Sequence, residues 1–207
     1  MANITAADVN KLRKMTGAGM MDCKNALVES NGDFDAAIDY LRKKGQKLAD
    51  KRADRESNEG YVIAKVNPEG NFGIVSMLNC ETDFVAKNED FIRFAEQIAD
   101  VALASGAKNI DEVRAAQIEG RSIQEHITDQ IGKIGEKIDI GQFEAIEAPA
   151  VFAYNHHGNR LATIMGLSKN DVENIEQAGK EVNMQIAAMN PVAIDKDGVP
   201  SDVIEHE

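Results

Sequence analysis

An aspartate and a phenylalanine stand side by side at Asp83-Phe84, inside the run Cys80-Glu81-Thr82-Asp83-Phe84-Val85-Ala86-Lys87. A carboxylate there can accept backbone N–H groups or pair with a cation, and an aromatic beside it can bury itself in a groove of another protein. Together with Val85, such a pair in a loop can project an apolar tip beyond its own domain. The plainer reading has Phe84 tucked under Asn88 as a local staple and Asp83 capping the turn, because a loop aromatic more often plugs its own domain.

Other side chains offer less chemistry. His156-His157 supplies two imidazoles, but neighbouring side chains of an extended chain point to opposite faces, and no third histidine or cysteine has ligand spacing nearby. No metal is expected. Cys23 and Cys80 lie in different segments without paired spacing, which predicts two reduced, buried thiols. The chain carries no Gly-x-Ser-x-Gly elbow, zinc signature or phosphate-binding loop, and Gly17-Ala18-Gly19 lacks the strand-to-helix setting of a phosphate cradle. Neither a cofactor nor directly bound GTP is expected.

Formal charge is −12, from 35 acidic and 23 basic residues. Binding a nucleic-acid duplex calls for a surplus of lysine and arginine, so a direct nucleic-acid partner is not expected. No apolar run approaches about 18 residues, and Met1-Ala2-Asn3-Ile4 is not a charged-then-apolar leader, so a cytoplasmic protein without membrane contact is expected.

The elements that position Asp83-Phe84 follow from an internal repeat. From Val62 to Val101 and again from Val151 to Met189 the chain runs strand, Gly-Asn turn, strand, amphipathic helix, with turns at Gly70-Asn71 and Gly158-Asn159. Twenty residues separate Asn71 from Phe91, the first core residue expected of one helix, and thirteen separate Asn159 from Val172, its expected counterpart. The difference of seven is the length of Glu81 to Lys87, which therefore reads as an insertion free to carry function. Between the hairpins three helices are expected: one after Asn88 with Phe91, Phe94, Ile98 and Val101 inward, one carrying Ile110, Val113 and Ile118 and ending at Gly120, and one boxed by Ser122 and Glu125 that buries Ile123, Ile127, Ile131 and Ile134.

Upstream, Thr5 with Asp8 resembles a capping box, Asn31-Gly32 ends a second helix, and Asp33 caps a third with Phe34, Ala37, Ile38 and Leu41 on one face. Met20 and Met21 point about 100° apart on a helix, so one of them should be exposed, either covering the glycine turn or meeting a partner. Residues 1–55 hold 11 basic and 8 acidic side chains, a net of +3 that leaves −15 on the remainder. The basic run from Arg42 to Arg55 reads as a solvated helix tail and linker. The expected fold is α+β: a three-helix docking domain over 1–55, a first half-domain over 56–140 and a second over 141–207, each half a small antiparallel sheet with helices.

Two stretches carry a family resemblance. Thr82-Asp83-Phe84-Val85 resembles one signature of bacterial elongation factor Ts, the exchange factor of the GTPase elongation factor Tu, and Leu12-Arg13-Lys14-Met15-Thr16-Gly17-Ala18-Gly19-Met20-Met21-Asp22-Cys23-Lys24 resembles the other. His157-Gly158-Asn159-Arg160 is a third, shorter match, and the similarity runs in one order from Ile4 to Glu207. The resemblance implies guanine-nucleotide exchange without covalent chemistry, with elongation factor Tu as partner. It implies that Thr82, Asp83, Phe84 and Val85 wedge between two helices of the GTPase near its magnesium. It also implies partner contacts at Leu12, Arg13, Met20, Met21 and His157, and a ubiquitin-associated-like first domain. Family members usually continue past the segment that follows Asn190-Pro191, so the second half-domain is expected to be incomplete. An adaptor binding a ubiquitin-like surface is the alternative that residues 1–45 suggest, and an enzyme is a third; an adaptor has no use for Asp83-Phe84.

Overall fold

The computed structural model describes residues 4–206; Glu207 and Met1–Asn3, on which the leader reading rests, lie outside the described residues. Helices α1 (Ala6–Thr16), α2 (Met20–Glu29) and α3 (Phe34–Arg52) come first. Thr5 and Asp8 close a reciprocal capping box on α1, left-handed Gly17 ends it, and the Asp33 carboxylate accepts the Ala36 N–H at the start of α3. Inside them Leu12, Cys23, Ala26, Leu27 and Ala37 are buried together.

The chain continues as β1 (Glu59–Val66), β2 (Phe72–Cys80), the single turn α4 (Asp83–Ala86), α5 (Glu89–Ser105), α6 (Ile110–Ala115), β3 (Gln117–Ile118), β4 (Arg121–Ser122) and α7 (Ile123–Ile134). After these come β5 (Asp139–Glu147), β6 (Ala150–Asn155), β7 (Ala162–Leu167), α8 (Ile175–Met189) and α9 (Ser201–His206). Antiparallel β1, β2 and β5 form one sheet in that order, and β6 pairs with β7 in another. This is an α+β fold. The large core joins Ile74, Leu78 and Ile140 of the first sheet to Phe91, Phe94 and Ile98 of α5 and Ile123 and Ile127 of α7. A smaller cluster of Ala150, Phe152 and Met165 lies under α8, whose Asn183 is wholly buried and bonds the Phe152 carbonyl and the Thr163 hydroxyl.

The two sheets meet at the free edge of β1. Asn155 gives and takes a bond with the Ala64 backbone, at 2.9 and 2.7 Å, and Asn159 does the same with Val62 through its carbonyl and its side-chain amide. An otherwise open sheet edge is thereby satisfied, and the second hairpin is fixed against the first.

Several expectations need correction. Val172 is not a core residue: it is 52 % exposed and precedes α8, which begins at Ile175. The connection from β2 to α5 spans residues 81–88 and that from β7 to α8 spans residues 168–174, so the supposed seven-residue insertion shrinks to one residue, and β2 is simply longer than β7. What sets the first connection apart is its conformation, a helical turn. Ile118 is buried in the β3–β4 hairpin rather than in α6, with Glu119 and Gly120 both left-handed at its turn. Strand β5, which pairs with β2, has no counterpart in the sequence reading.

The run from Arg42 to Arg52 is a largely exposed helix tail, as read, rather than a linker. It completes α3, which crosses α7 at Gly45 and Gly132 and sets Leu48 and Ala49 against the large core.

Candidate functional site

Thr82 lies in extended backbone ahead of α4, and Lys87 closes the turn. Ala86 is buried and Val85 packs on the large core, so three quarters of the turn faces inward or sideways and Phe84 alone projects. Phe84 is 84 % exposed, which overturns the local-staple reading; Asn88 instead caps α5. On a turn whose neighbours are anchored, this phenylalanine is an apolar tip open to solvent.

Asp83 accepts a 2.6 Å bond from the Lys87 ammonium. That bond holds its carboxyl below the usual aspartate range, and the positive charge of Arg160 adds in the same direction. Arg160 belongs to the turn His157-Gly158-Asn159-Arg160 and pairs with Glu59, so the third motif lies on the side of the molecule that bears Asp83. Within that motif Asn159 and Arg160 fasten the hairpin to β1, while His157 stands exposed. His156 Nδ1 is 2.8 Å from the Tyr154 hydroxyl. Among the described residues no group of three or more His, Cys, Asp or Glu side chains could hold a metal.

In the first helices the structure separates the residues of the longer motif. Leu12 is 0 % exposed at the centre of the three-helix core, so the contact role assigned to it is corrected: its side chain has no surface to offer. Arg13 is exposed. Met20 and Met21 are both exposed, at 55 % and 63 %, where the helical period predicted one inside; Cys23, Ala26 and Leu27 fill the inward positions of α2 instead.

The base of the Phe84 turn is tied by groups that motif reading did not select. Glu136, between α7 and β5, accepts the Glu81 and Thr82 backbone N–H groups, each at 3.1 Å, and the Thr82 hydroxyl at 2.7 Å. Glu81 in turn accepts the Lys137 backbone N–H at 2.6 Å and the guanidinium groups of Arg52 and Arg55 at 2.6 and 2.9 Å. Only Glu81 could have been found from sequence, as the residue before Thr82; its partners lie 26 to 56 positions away. The Cys80 thiol donates to the Thr82 carbonyl, and burial with the nearby Glu136 charge pushes it up to about 12, so it is no nucleophile at neutral pH.

Burial pulls the Glu81 carboxyl up, but the Lys137 N–H and the two guanidinium groups outweigh it and hold the group down at about 2, from an ordinary 4.5. A depressed carboxylate contributes stability that is complete above its unfolded value and lost as pH falls through its folded one. Denaturant unfolding measured between these limits should therefore lose stability on acidification, and Glu81→Gln should flatten that part of the profile. An equally steep profile in the variant would assign the acid sensitivity to other carboxylates.

A family model for elongation factor Ts matches residues 81–207. Along all 207 residues the chain is 56 % identical to the elongation factor Ts of Christiangramia forsetii, covering 74 % of that protein. It is 51 % identical over 204 residues to that of Amoebophilus asiaticus, again 74 % of the relative, and 48 % identical over 205 residues to that of Bacteroides thetaiotaomicron, 61 % of the relative.

Proposed function

The chain belongs to the elongation factor Ts family and is a nucleotide exchange factor of translation elongation, and we propose that it acts on elongation factor Tu by inserting Phe84 beside that GTPase's magnesium site. The observation that carries the reading is the 84 % exposure of Phe84 on a turn pinned at both ends. On docking, burying this ring stabilises the complex by roughly 1.5–3 kcal/mol before ordering costs. Asp83, tied to Lys87, steadies the turn and meets displaced backbone; one carboxylate does not displace a nucleotide-bound magnesium by ligation.

Residues 1–55 serve as the docking domain, presenting Arg13, Met20 and Met21, and His157 makes a second contact from the β6–β7 turn. Thr82 and Val85 hold the turn from within and Leu12 holds the docking helices together. The two half-domains over 56–140 and 141–207 form the frame, with β5 bridging them. No covalent step is needed: a protein that binds the empty GTPase more tightly than the loaded one weakens nucleotide binding by the same factor. The net charge of −12 fits a protein partner rather than nucleic acid, and the work is cytoplasmic, where translation factors act. Among the described residues no helix is long and apolar enough to cross a membrane.

Linkage supplies the test. If the turn disturbs the metal site, magnesium and this protein oppose each other on the GDP-bound GTPase. Raising free magnesium at constant ionic strength should then weaken formation of the ternary complex by about fivefold or more. A titration with no magnesium dependence would remove the metal from the mechanism and favour docking away from the nucleotide.

A further inference from the structure

The exchange reading leaves open what aims Phe84, and the contacts of one half-buried carboxylate bear on it. All three hydrogen bonds of the Glu136 side chain go to the base of the turn, to Glu81 N–H, Thr82 N–H and the Thr82 hydroxyl. Among the described residues this carboxylate has no ion-pair partner within 4.0 Å, and its neighbour Lys137 bonds instead to the Ala53 and Arg55 carbonyls at 2.7 and 2.8 Å. The two loops also exchange bonds. Glu136 takes backbone N–H groups of 81 and 82, and Glu81 takes the backbone N–H of 137, so neither loop slides without breaking the other's contacts.

Glu136 lies one residue past Gly135, the cap of α7, which is the helix that α3 crosses at Gly45 and Gly132. One rigid element thus carries the docking helices on its flank and grips the wedge just beyond its end. Past the grip, Val85 and Ala86 are packed in the large core, leaving Phe84 little freedom of direction. We propose that Glu136 is a positioning residue for exchange: it orients the turn so that Phe84 enters the GTPase in the productive direction once the factor has docked. The proposal rests on the exchange reading above.

Positioning predicts a split between maximal rate and affinity. Release of a fluorescent GDP analogue from elongation factor Tu, followed by stopped flow against factor concentration, should show Glu136→Ala lowering the maximal rate by about tenfold while the half-saturating concentration moves less than about threefold. Glu136→Gln retains an acceptor oxygen for the two backbone N–H groups and an amide that can donate to the Thr82 hydroxyl, so it should recover a rate within about threefold of the parent. Thr82→Val removes the hydroxyl bond from the other side and should slow release in the same sense, a reading available even if Glu136→Ala folds poorly. Adding Glu136→Ala to Phe84→Ala should slow release no further than Phe84→Ala alone, because the one acts through the other. A parental maximal rate in Glu136→Ala and Thr82→Val, with Phe84→Ala slowed, would overturn the positioning role alone. Additive losses would do the same, whereas a parental rate in Phe84→Ala would remove the wedge on which the role depends.

Discussion

Phe84→Ala should slow GDP release from elongation factor Tu by about thirtyfold at subsaturating factor, while the unfolding free energy of the factor itself stays within about 0.5 kcal/mol of the parent. The asymmetry comes from where the ring spends its time. In the free protein Phe84 is 84 % exposed and contributes little to the fold, so its removal leaves no cavity. On the proposed reading the same ring is a buried anchor in the complex, and truncating such an anchor costs about 2 kcal/mol or more of binding. Adding Asp83→Ala frees Lys87 and loosens the turn, so the double variant should be slower still. Release rates from stopped flow and unfolding midpoints from the same preparations test both halves together. Undiminished exchange in the double variant would end the wedge reading, whereas a large drop in stability would mean that the ring packs on its own domain in solution.

That prediction rests on the part of the site that sequence marks best, a loop signature of adjacent residues. Local signals of the same kind are readable elsewhere: the capping boxes at Thr5 and Ser122 and the inward stripe of α5 depend on residues three or four apart, and the left-handed Asn31-Gly32 turn on two adjacent ones. What local spacing does not carry is pairing at a distance. Strand β5 was missed because only three of its nine residues, Ile140, Phe143 and Ile146, are large and apolar, and its pairing with β2 is set by tertiary contact. Val172 was misread because an apolar residue near a helix start satisfies the pattern whether or not it lies inside. The Glu81–Glu136 exchange was invisible for the same reason as β5: its two members are 55 positions apart, and a lone glutamate carries no sign of which backbone it will hold.

The crossing of α3 and α7 yields the largest expected loss of stability. Gly45 and Gly132 both lie inside helices, where glycine costs about 1 kcal/mol relative to alanine, so packing must favour it there. A Cβ at residue 132 would stand 3.1 Å from the Gly45 Cα, and one at residue 45 would stand 3.0 Å from the Thr128 carbonyl oxygen. Both obstacles are backbone, which cannot rotate aside. Alanine at 132 sets a propensity gain against a tight contact and should change little, whereas valine adds two methyl groups and forces the helices apart at a cost of about 1–3 kcal/mol. Separation would also draw Leu48 and Ala49 from the large core and carry Arg52 and Arg55 away from Glu81. Gly132→Val should therefore lower the denaturant midpoint and weaken binding to elongation factor Tu, because docking helices and wedge would lose their common frame. Deleting residues 1–55 should act in the same direction and more strongly than removal of a solvated module would, since the second half of α3 is part of the core it leaves. A Gly132→Val protein with parental midpoint and affinity would show that α3 and α7 separate freely in solution, and that the first three helices dock on the GTPase independently of the wedge.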